Sequence, residues 1–149
     1  MRLRLRDARL TDAVALGRIL WHTQREADWM PHLYGRVDCI RYCAVMIARG
    51  WVRVASVNGA VRGFLARDGE EICALYLDAR AKGLGIGKQM LDEAKQEARA
   101  LWLRCSQDNG GAQRFYLREG FVEHARGDGR DRAEQLPDIT YIWAGEACA

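Results

Sequence analysis

The residues best suited to chemistry in this sequence form one glycine-rich segment, Leu75-Tyr-Leu-Asp-Ala-Arg-Ala-Lys-Gly-Leu-Gly-Ile-Gly-Lys88. An apolar, strand-like stretch leads into it, and a stretch with helical periodicity follows it. A strand that passes through such a turn into a helix is suited to binding phosphate. The unpaired N–H groups of the first helical turn and the positive end of the helix dipole converge there, and glycines let an anion approach the backbone.

The glycines alone do not identify the phosphate compound, because a plain structural turn would use the same residues. The dinucleotide-binding pattern does not fit. The glycines follow a run of antiparallel strands, and Trp102-Leu-Arg104 replaces the acid expected about 20 residues further on. The Walker P-loop does not fit either, because Gln89 stands where a hydroxyl residue must follow Lys88.

A second segment of interest is Asn109-Gly-Gly-Ala-Gln-Arg-Phe-Tyr116-Leu-Arg-Glu-Gly120-Phe121. It reads as a helix with Asn109 at its N-cap and Gly120 at its end. Tyr116 lies about two helical turns after Asn109, so both side chains fall on nearly the same helix face. The simplest interpretation of Phe115-Tyr116 is packing of that face.

Together the two segments resemble the motifs of the GNAT superfamily of acyl-CoA-dependent N-acyltransferases. The family's pyrophosphate motif, Arg/Gln-x-x-Gly-x-Gly/Ala, corresponds to Lys82-Gly-Leu-Gly85-Ile-Gly87, with Lys in place of Arg or Gln at the first position. The second segment resembles the family's Asn-x6-Tyr-x3-Gly-Phe pattern. The resemblance covers essentially the whole chain and implies acetyl-CoA as cosubstrate and an amine as acceptor.

The resemblance also implies which residues contact the cosubstrate. Backbone groups of Leu75 to Leu77 would bind the pantetheine arm, the glycine turn would hold the pyrophosphate, and Asn109 would bind near the pantetheine. The implied cofactor-binding residues are Leu75, Tyr76, Leu77, Lys82, Gly83, Leu84, Gly85, Ile86, Gly87, Lys88 and Asn109.

Two catalytic roles follow from the same resemblance. Tyr116 would protonate the departing CoA thiolate, a suitable role for a phenol with a pKa near 10. Glu71 would accept the proton of the attacking amine. It lies six residues before Leu77, on the same strand face if no bulge intervenes, and matches a catalytic Glu of some histone-acetylating members. A solvated carboxylate at the strand end is the alternative for Glu71, and Glu70 is an equally placed neighbour.

The resemblance also implies an acceptor groove between the loop joining the first two helices and the late hairpin loop, here residues 28–36 and 125–138. The candidate contact residues are Trp29, Met30, His32, Leu33 and Tyr34 in the first, and Asp128, Arg130, Asp131, Arg132, Glu134 and Asp138 in the second. Their mixed charge does not separate a free amino acid, a polyamine, an aminoglycoside or a protein N-terminus.

The elements that must position these residues follow from periodicity and turn signals. We predict a strand at Leu3–Leu5, a helix capped by Thr11 or Asp12 and ending near Asp28, a helix at Val37–Ala48, and strands at Trp51–Val57 and Ala60–Ala66 around Asn58-Gly59. Then follow a strand at Glu71–Leu77, a helix to about Ala98, a strand at Leu101–Cys105, a helix at Asn109–Arg118, a strand from Phe121, a loop at 125–138 and a strand at Ile139–Trp143. This order predicts one α/β (α+β) domain over residues 1–149, a mixed, mostly antiparallel twisted sheet of about six to seven strands with helices on both faces.

Composition limits the other function classes. A net charge of +3, with basic and acidic residues interspersed, predicts no nucleic-acid partner. No apolar run reaches membrane-spanning length, and the N-terminus lacks the apolar region of a signal peptide. Five cysteines without C-x2-C spacing favour reduced thiols in the cytoplasm and no metal site, although Cys39 and Cys43 share one helix face. A homodimer is left open.

Two alternatives to the enzyme remain at this point. A non-catalytic module that binds acyl-CoA would keep the glycine turn but need neither Tyr116 nor a base. A site for a phosphometabolite or nucleotide would need a ribose or base site that the sequence does not show.

Overall fold

The computed structural model describes residues 2–27, 34–130 and 136–145. The strands are β1 (Leu3–Asp7), β2 (Val52–Val57), β3 (Ala60–Asp68), β4 (Glu71–Leu77), β5 (Ala100–Ser106), β6 (Val122–Gly127) and β7 (Asp138–Ala144). The α-helices are α1 (Ala13–Glu26), α2 (Arg36–Ala48), α3 (Ile86–Glu97) and α4 (Gly110–Arg118), with short 3-10 turns at Leu10–Asp12 and Ala79–Ala81.

The strands form a seven-stranded sheet in the order β1-β2-β3-β4-β5-β7-β6. The pairs β1–β2, β2–β3, β5–β7 and β6–β7 are antiparallel, and β4 pairs with β5 in parallel. The mixed, mostly antiparallel sheet predicted from the sequence is therefore confirmed. By its internal contacts the chain divides into two compact units, Met1–Asp68 with Cys73–Glu93 and Gly69–Ile72 with Ala94–Ala149. The single-domain organisation stays a prediction.

The core of the first unit lies between α1, α2 and one face of the sheet. Leu16 of α1, Cys43 of α2 and Val54 of β2 are fully buried there, together with Phe64 of β3. Arg53, between two inward-facing valines, points to the opposite face. Its guanidinium forms a two-point pair with Glu93 of α3, with N–O distances of 2.8 and 2.9 Å. Helices thus cover both faces of this part of the sheet, as predicted.

Close packing of α1 on α2 depends on Gly17. A Cβ atom at this position would lie 2.6 Å from Ile40 Cγ1, 2.7 Å from Ile40 Cα and 2.8 Å from Ile40 N. Two of these three atoms belong to the backbone of α2, so the contact cannot be relieved by rotating a side chain. The two helices approach each other as closely as they do because residue 17 has no side chain.

We therefore expect Gly17→Ala to destabilise the protein by about 1–3 kcal/mol, because overpacking outweighs the better helix propensity of alanine. Gly111→Ala in α4 is the matched control. There the nearest atom to a new Cβ is 3.9 Å away, so stability should stay equal or rise by up to about 1 kcal/mol. Urea unfolding of the three proteins measures both changes. A Gly17→Ala protein as stable as the wild type would contradict the packing argument.

In the second unit, α4 packs on β7 through Tyr116, whose ring centre lies 6.3 Å from that of Tyr141. Leu103 lies opposite Tyr141 in the register, and both side chains are buried. Phe121, just after α4, is buried against the same cluster. Lys95 donates to the carbonyl of Glu119 at 2.5 Å, and its ammonium group lies 5.3 Å from the centre of the Trp143 ring. These contacts fix the end of α4 in this unit.

Asp12 is the N-cap residue of α1, one of the two predicted, but its side chain forms no cap hydrogen bond. Its carboxylate accepts two hydrogen bonds from the Arg6 guanidinium, at 2.8 and 3.0 Å, and one from the Arg9 N–H. One other local prediction was wrong. The loop predicted from residue 125 begins later, because β6 continues to Gly127 as the partner of β7. Every residue of β6 is exposed, so its sequence lacks the alternation of apolar and polar residues by which a strand is recognised.

Among the residues that the structure describes, no helix has the length and hydropathy needed to cross a membrane.

Candidate functional site

The glycine-rich segment forms the strand–turn–helix arrangement that the sequence predicts. Gly83 and Gly85 both have φ of +78°, the left-handed region that favours glycine. No atom lies within 4 Å of the position where a Cβ would stand at either residue, so this backbone is open to an approaching group. Ile86 is fully buried and anchors the start of α3.

The start of α3 can act as an anion site. Its first helical hydrogen bond runs from Gln89 N–H to Gly85 C=O at 3.1 Å. The N–H groups of Ile86, Gly87 and Lys88 precede that bond and belong to the turn in which helices bind anions. The helix is 12 residues long, so the dipole effect is that of a full helix.

The charged residues beside this turn are already paired. Lys82 Nζ lies 3.7 Å from Glu26 Oε2, and Lys88 Nζ lies 3.2 Å from Asp92 Oδ2. All four side chains are substantially exposed, so each pair contributes little and is screened by salt. The open backbone of the turn, more than the lysine charge, is therefore the feature suited to holding a phosphate group.

Asp78, which was not among the predicted site residues, lies where β4 ends and the turn begins. Its N–H donates to Arg62 C=O at 2.7 Å, and its C=O accepts from Ala81 N–H at 2.9 Å. Its carboxylate accepts from Arg80 N–H at 2.9 Å and from the Arg62 guanidinium at 3.2 Å. An aspartate at the end of an apolar strand, followed by a short helical turn, was the signal available in the sequence.

The Arg80 N–H, followed by the Arg62 guanidinium, lowers the pKa of Asp78 below its ordinary value of 3.8. The folded state therefore favours the charged carboxylate. This contribution to stability is present above the unfolded pKa and is lost as the pH falls from about 4 through the lower folded pKa.

We expect Asp78→Ala to destabilise the protein by about 1–2 kcal/mol at neutral pH, the usual loss for a capping side chain. Its deficit relative to the wild type should shrink as the pH falls below about 4. Asp68→Ala, which removes an exposed carboxylate at the end of β3, is the control and should change stability little. Urea unfolding at several pH values tests this, and a deficit that does not change with pH would show that the charge of Asp78 plays no part.

Asn109 and Tyr116 lie in the second unit. Asn109 Oδ1 accepts the Ala112 N–H at 3.1 Å, so its role as the N-cap of α4 is confirmed. Tyr116 is 8% exposed, and its ring packs against Phe121 and Tyr141 with centroid distances of 5.4 and 6.3 Å. The predicted packing of the Tyr116 ring is therefore confirmed. Contact of either residue with a cosubstrate stays a prediction.

Glu71 is the first residue of β4 and lies opposite Trp102 of β5. The neighbouring Glu70 C=O accepts the Trp102 N–H at 2.9 Å. Glu71 is half-buried and belongs to the second unit, whereas Leu75, Tyr76 and Leu77 belong to the first. The structure thus places the two predicted catalytic residues, Glu71 and Tyr116, in the same compact unit.

The acceptor residues predicted in the two loops are only partly described. Trp29, Met30, His32, Leu33, Asp131, Arg132 and Glu134 lie outside the described residues. Tyr34 is 42% exposed, and Asp128 is paired with Arg130 at 3.1 Å. Asp138 was wrongly placed in the loop, since it is the first residue of β7 and is buried.

The cysteine pair of α2 is part of the core. Cys39 and Cys43 are both buried, and Gln24 Nε2 donates to Cys39 Sγ at 3.2 Å. Burial, with the neighbouring Cys39, raises the pKa of the Cys43 thiol to about 12. Within the described ranges no three His, Cys, Asp or Glu side chains come together as a metal site would require.

Comparison with known proteins identifies related sequences and folds. The model of the acetyltransferase (GNAT) family matches residues 14–121. A peptidyl-lysine N-acetyltransferase of Salmonella typhimurium, YjaB, is 31% identical over 93 residues, or 62% of this chain and 63% of its own length. The matched region thus spans less than two thirds of that relative.

Solved structures show the same fold over nearly the whole chain. The solution structure of apo YjaB from Escherichia coli has a TM-score of 0.80 at 23% identity, covering 97% of this chain and 99% of that one. The structure of yncA from Salmonella typhimurium, solved with its cofactor acetyl-CoA, has a TM-score of 0.69 at 19% identity, covering 95% and 92%.

Proposed function

Because this chain belongs to the GNAT acetyltransferase family, we propose that it transfers an acetyl group from acetyl-CoA to a primary amine. The observation that carries the proposal is the open backbone at Gly83 and Gly85, directly before the first turn of α3. A pyrophosphate needs several N–H donors and space close to the backbone, and this turn offers both.

The donor is acetyl-CoA, with its pyrophosphate on Gly83 to Lys88 and its pantetheine arm along the backbone of Leu75 to Leu77. The acetyl-CoA bound to the yncA protein, which has the same fold, supports this choice. Lys82 stands where the family has Arg or Gln. This difference has little effect on the proposal, because the Lys82 side chain is exposed and forms an ion pair with Glu26.

The reaction needs two proton transfers. The neutral amine nitrogen attacks the thioester carbonyl carbon, and a tetrahedral intermediate forms with the negative charge on the carbonyl oxygen. When the C–S bond breaks, the CoA thiolate takes a proton from the Tyr116 hydroxyl, and the amine nitrogen gives up its extra proton to Glu71 or to water. The products are the N-acetylated amine and CoA.

The acceptor we place first is a lysine side chain. The relative in Salmonella typhimurium is named for peptidyl-lysine, and a lysine ε-amine is a primary amine of the required kind. An ammonium group must lose a proton before it can attack, so the enzyme should be faster at mildly alkaline pH with any such acceptor.

The glycine turn can be tested with Gly85→Val. The new side chain would occupy the approach to the backbone, so acetyl-CoA affinity should fall at least tenfold, about 1.4 kcal/mol. Gly59→Val is the matched control, because Gly59 also has a positive φ, +84°, and open space around it, but lies in the β2–β3 hairpin. Both variants carry similar backbone strain, so a difference in their acetyl-CoA affinity reports the effect of the new side chain on binding. Calorimetric titration measures that affinity. Equal affinities in the two variants would place the pyrophosphate elsewhere.

The catalytic claim can be tested with Tyr116→Phe. Removing the hydroxyl keeps the ring packed on Phe121 and Tyr141, so kcat should fall by roughly 10² to 10⁴ while acetyl-CoA affinity stays nearly unchanged. CoA release with a lysine-containing peptide and with free small amines gives the rates.

Tyr141→Phe is the control for this experiment, because Tyr141 is buried in the same aromatic cluster and has no proposed role in the reaction. Its kcat should stay near the wild-type value. Equal kcat values for wild type and Tyr116→Phe would remove Tyr116 from the mechanism. Acetyl-CoA binding without CoA release from any amine would favour a non-catalytic binding module.

A further inference from the structure

A cleft lies between α1 and α2 in the first unit, with a cavity volume of about 270 Å³. Its apolar lining is Val14, Gly17 and Ile40. Gly17, whose missing side chain lets the helices approach, and Ile40, against which it packs, both line the cleft. This lining suits a small apolar group.

The rest of the lining is cationic and aromatic, consisting of Arg18, Trp21, His22 and Arg36. The guanidinium carbon of Arg36 lies 4.3 Å from the centre of the Trp21 ring, and that of Arg25 lies 4.8 Å from it. A guanidinium stacked on an indole is held in place with its N–H groups still available at the edge, which favours binding of a carboxylate or phosphate.

The carboxylates that the structure describes on these two helices are engaged elsewhere. Among the described residues, neither Arg18 nor Arg36 forms an ion pair within 4.0 Å. Glu26 of α1 is paired with Lys82, and Asp38 of α2 accepts the Gly35 N–H at 3.1 Å. Within the described part of the chain, the lining of the cleft therefore carries the two arginine charges and no carboxylate.

We propose that this cleft is a binding site for a small anion, in which a carboxylate or phosphate sits on Arg18 and Arg36 and a compact apolar body lies against Val14, Gly17 and Ile40. The volume is slightly below the usual range for drug-sized ligands, which favours a ligand with about one ring or a short acyl chain. Arg36 is the last residue of the segment 28–36 predicted to border the acceptor groove, but no lining residue has a role in the proposed acetyl transfer, so the inference does not depend on that function.

The test is calorimetric titration of the full chain with four probes: benzoate, phenyl phosphate, inorganic phosphate and neutral benzyl alcohol. We expect benzoate or phenyl phosphate to bind at least tenfold more tightly than both benzyl alcohol and inorganic phosphate, because only these two carry charge and an apolar body together. Comparison of the two tells which anion the site prefers. Their affinity should fall as salt rises from about 50 to 300 mM.

Variants locate the binding. Arg18→Gln combined with Arg36→Gln should weaken the better probe at least tenfold. Arg49→Gln is the matched control and should leave it unchanged, because the Arg49 guanidinium is also stacked on an indole, that of Trp51 at 4.9 Å, but does not line the cleft.

Three results would overturn the proposal. One is the absence of binding by both aromatic anions up to about 10 mM, a limit that still detects very weak sites. Another is equal binding of the aromatic anions and either benzyl alcohol or inorganic phosphate. The third is an equal loss of affinity in the Arg49→Gln control and in the double variant.

Discussion

The function proposed for this chain depends on how β4 leaves the sheet, and Asp78 controls that exit. Its main-chain N–H is tied to Arg62 of β3, and its carboxylate holds both the Arg62 guanidinium and the Arg80 N–H. One residue thus joins the neighbouring strand to the short turn that precedes the glycines. These contacts hold the start of the segment that leads to the open backbone at Gly83 and Gly85.

In the glycine turn, the backbone N–H groups are better suited to binding an anion than the lysine side chains are. The lysines at its two ends are exposed and form ion pairs with carboxylates. Their charge is therefore partly neutralised and easily screened by salt. The direction of the backbone N–H groups at the start of α3 is set by the helix itself and not by a flexible side chain. An anion site built in this way tolerates a change of side chain at Lys82 more readily than a change of backbone at Gly85.

The sequence predicted most of the fold because local signals agreed with the tertiary structure. Asn58 and Gly59 both have positive φ, as their hairpin requires, and β4 has the predicted bounds. Asp12 takes the predicted N-cap position, but its side chain pairs with Arg6 instead of bonding the helix, and no capping pattern reveals that partner.

The site was predicted less completely than the fold, for a related reason. Motif spacing found the glycines, and the family resemblance supplied roles for Asn109, Tyr116 and Glu71. Asp78 was missed because it acts through main-chain and side-chain contacts with Arg62, 16 residues earlier in the chain. The cleft between α1 and α2 was also missed. It depends on Arg36 stacking on Trp21 across two helices, a contact that only the packed structure establishes.

The central claim, that the turn before α3 binds acetyl-CoA, is tested most directly by calorimetric titration of the wild-type chain with acetyl-CoA, and with ATP and NAD for comparison. The account predicts saturable, one-to-one binding of acetyl-CoA and much weaker binding of NAD. At 100 times Kd, acetyl-CoA should also stabilise the fold by about 2.7 kcal/mol. No binding of acetyl-CoA at about 1 mM, a concentration that detects affinities near −4 kcal/mol, would contradict the account.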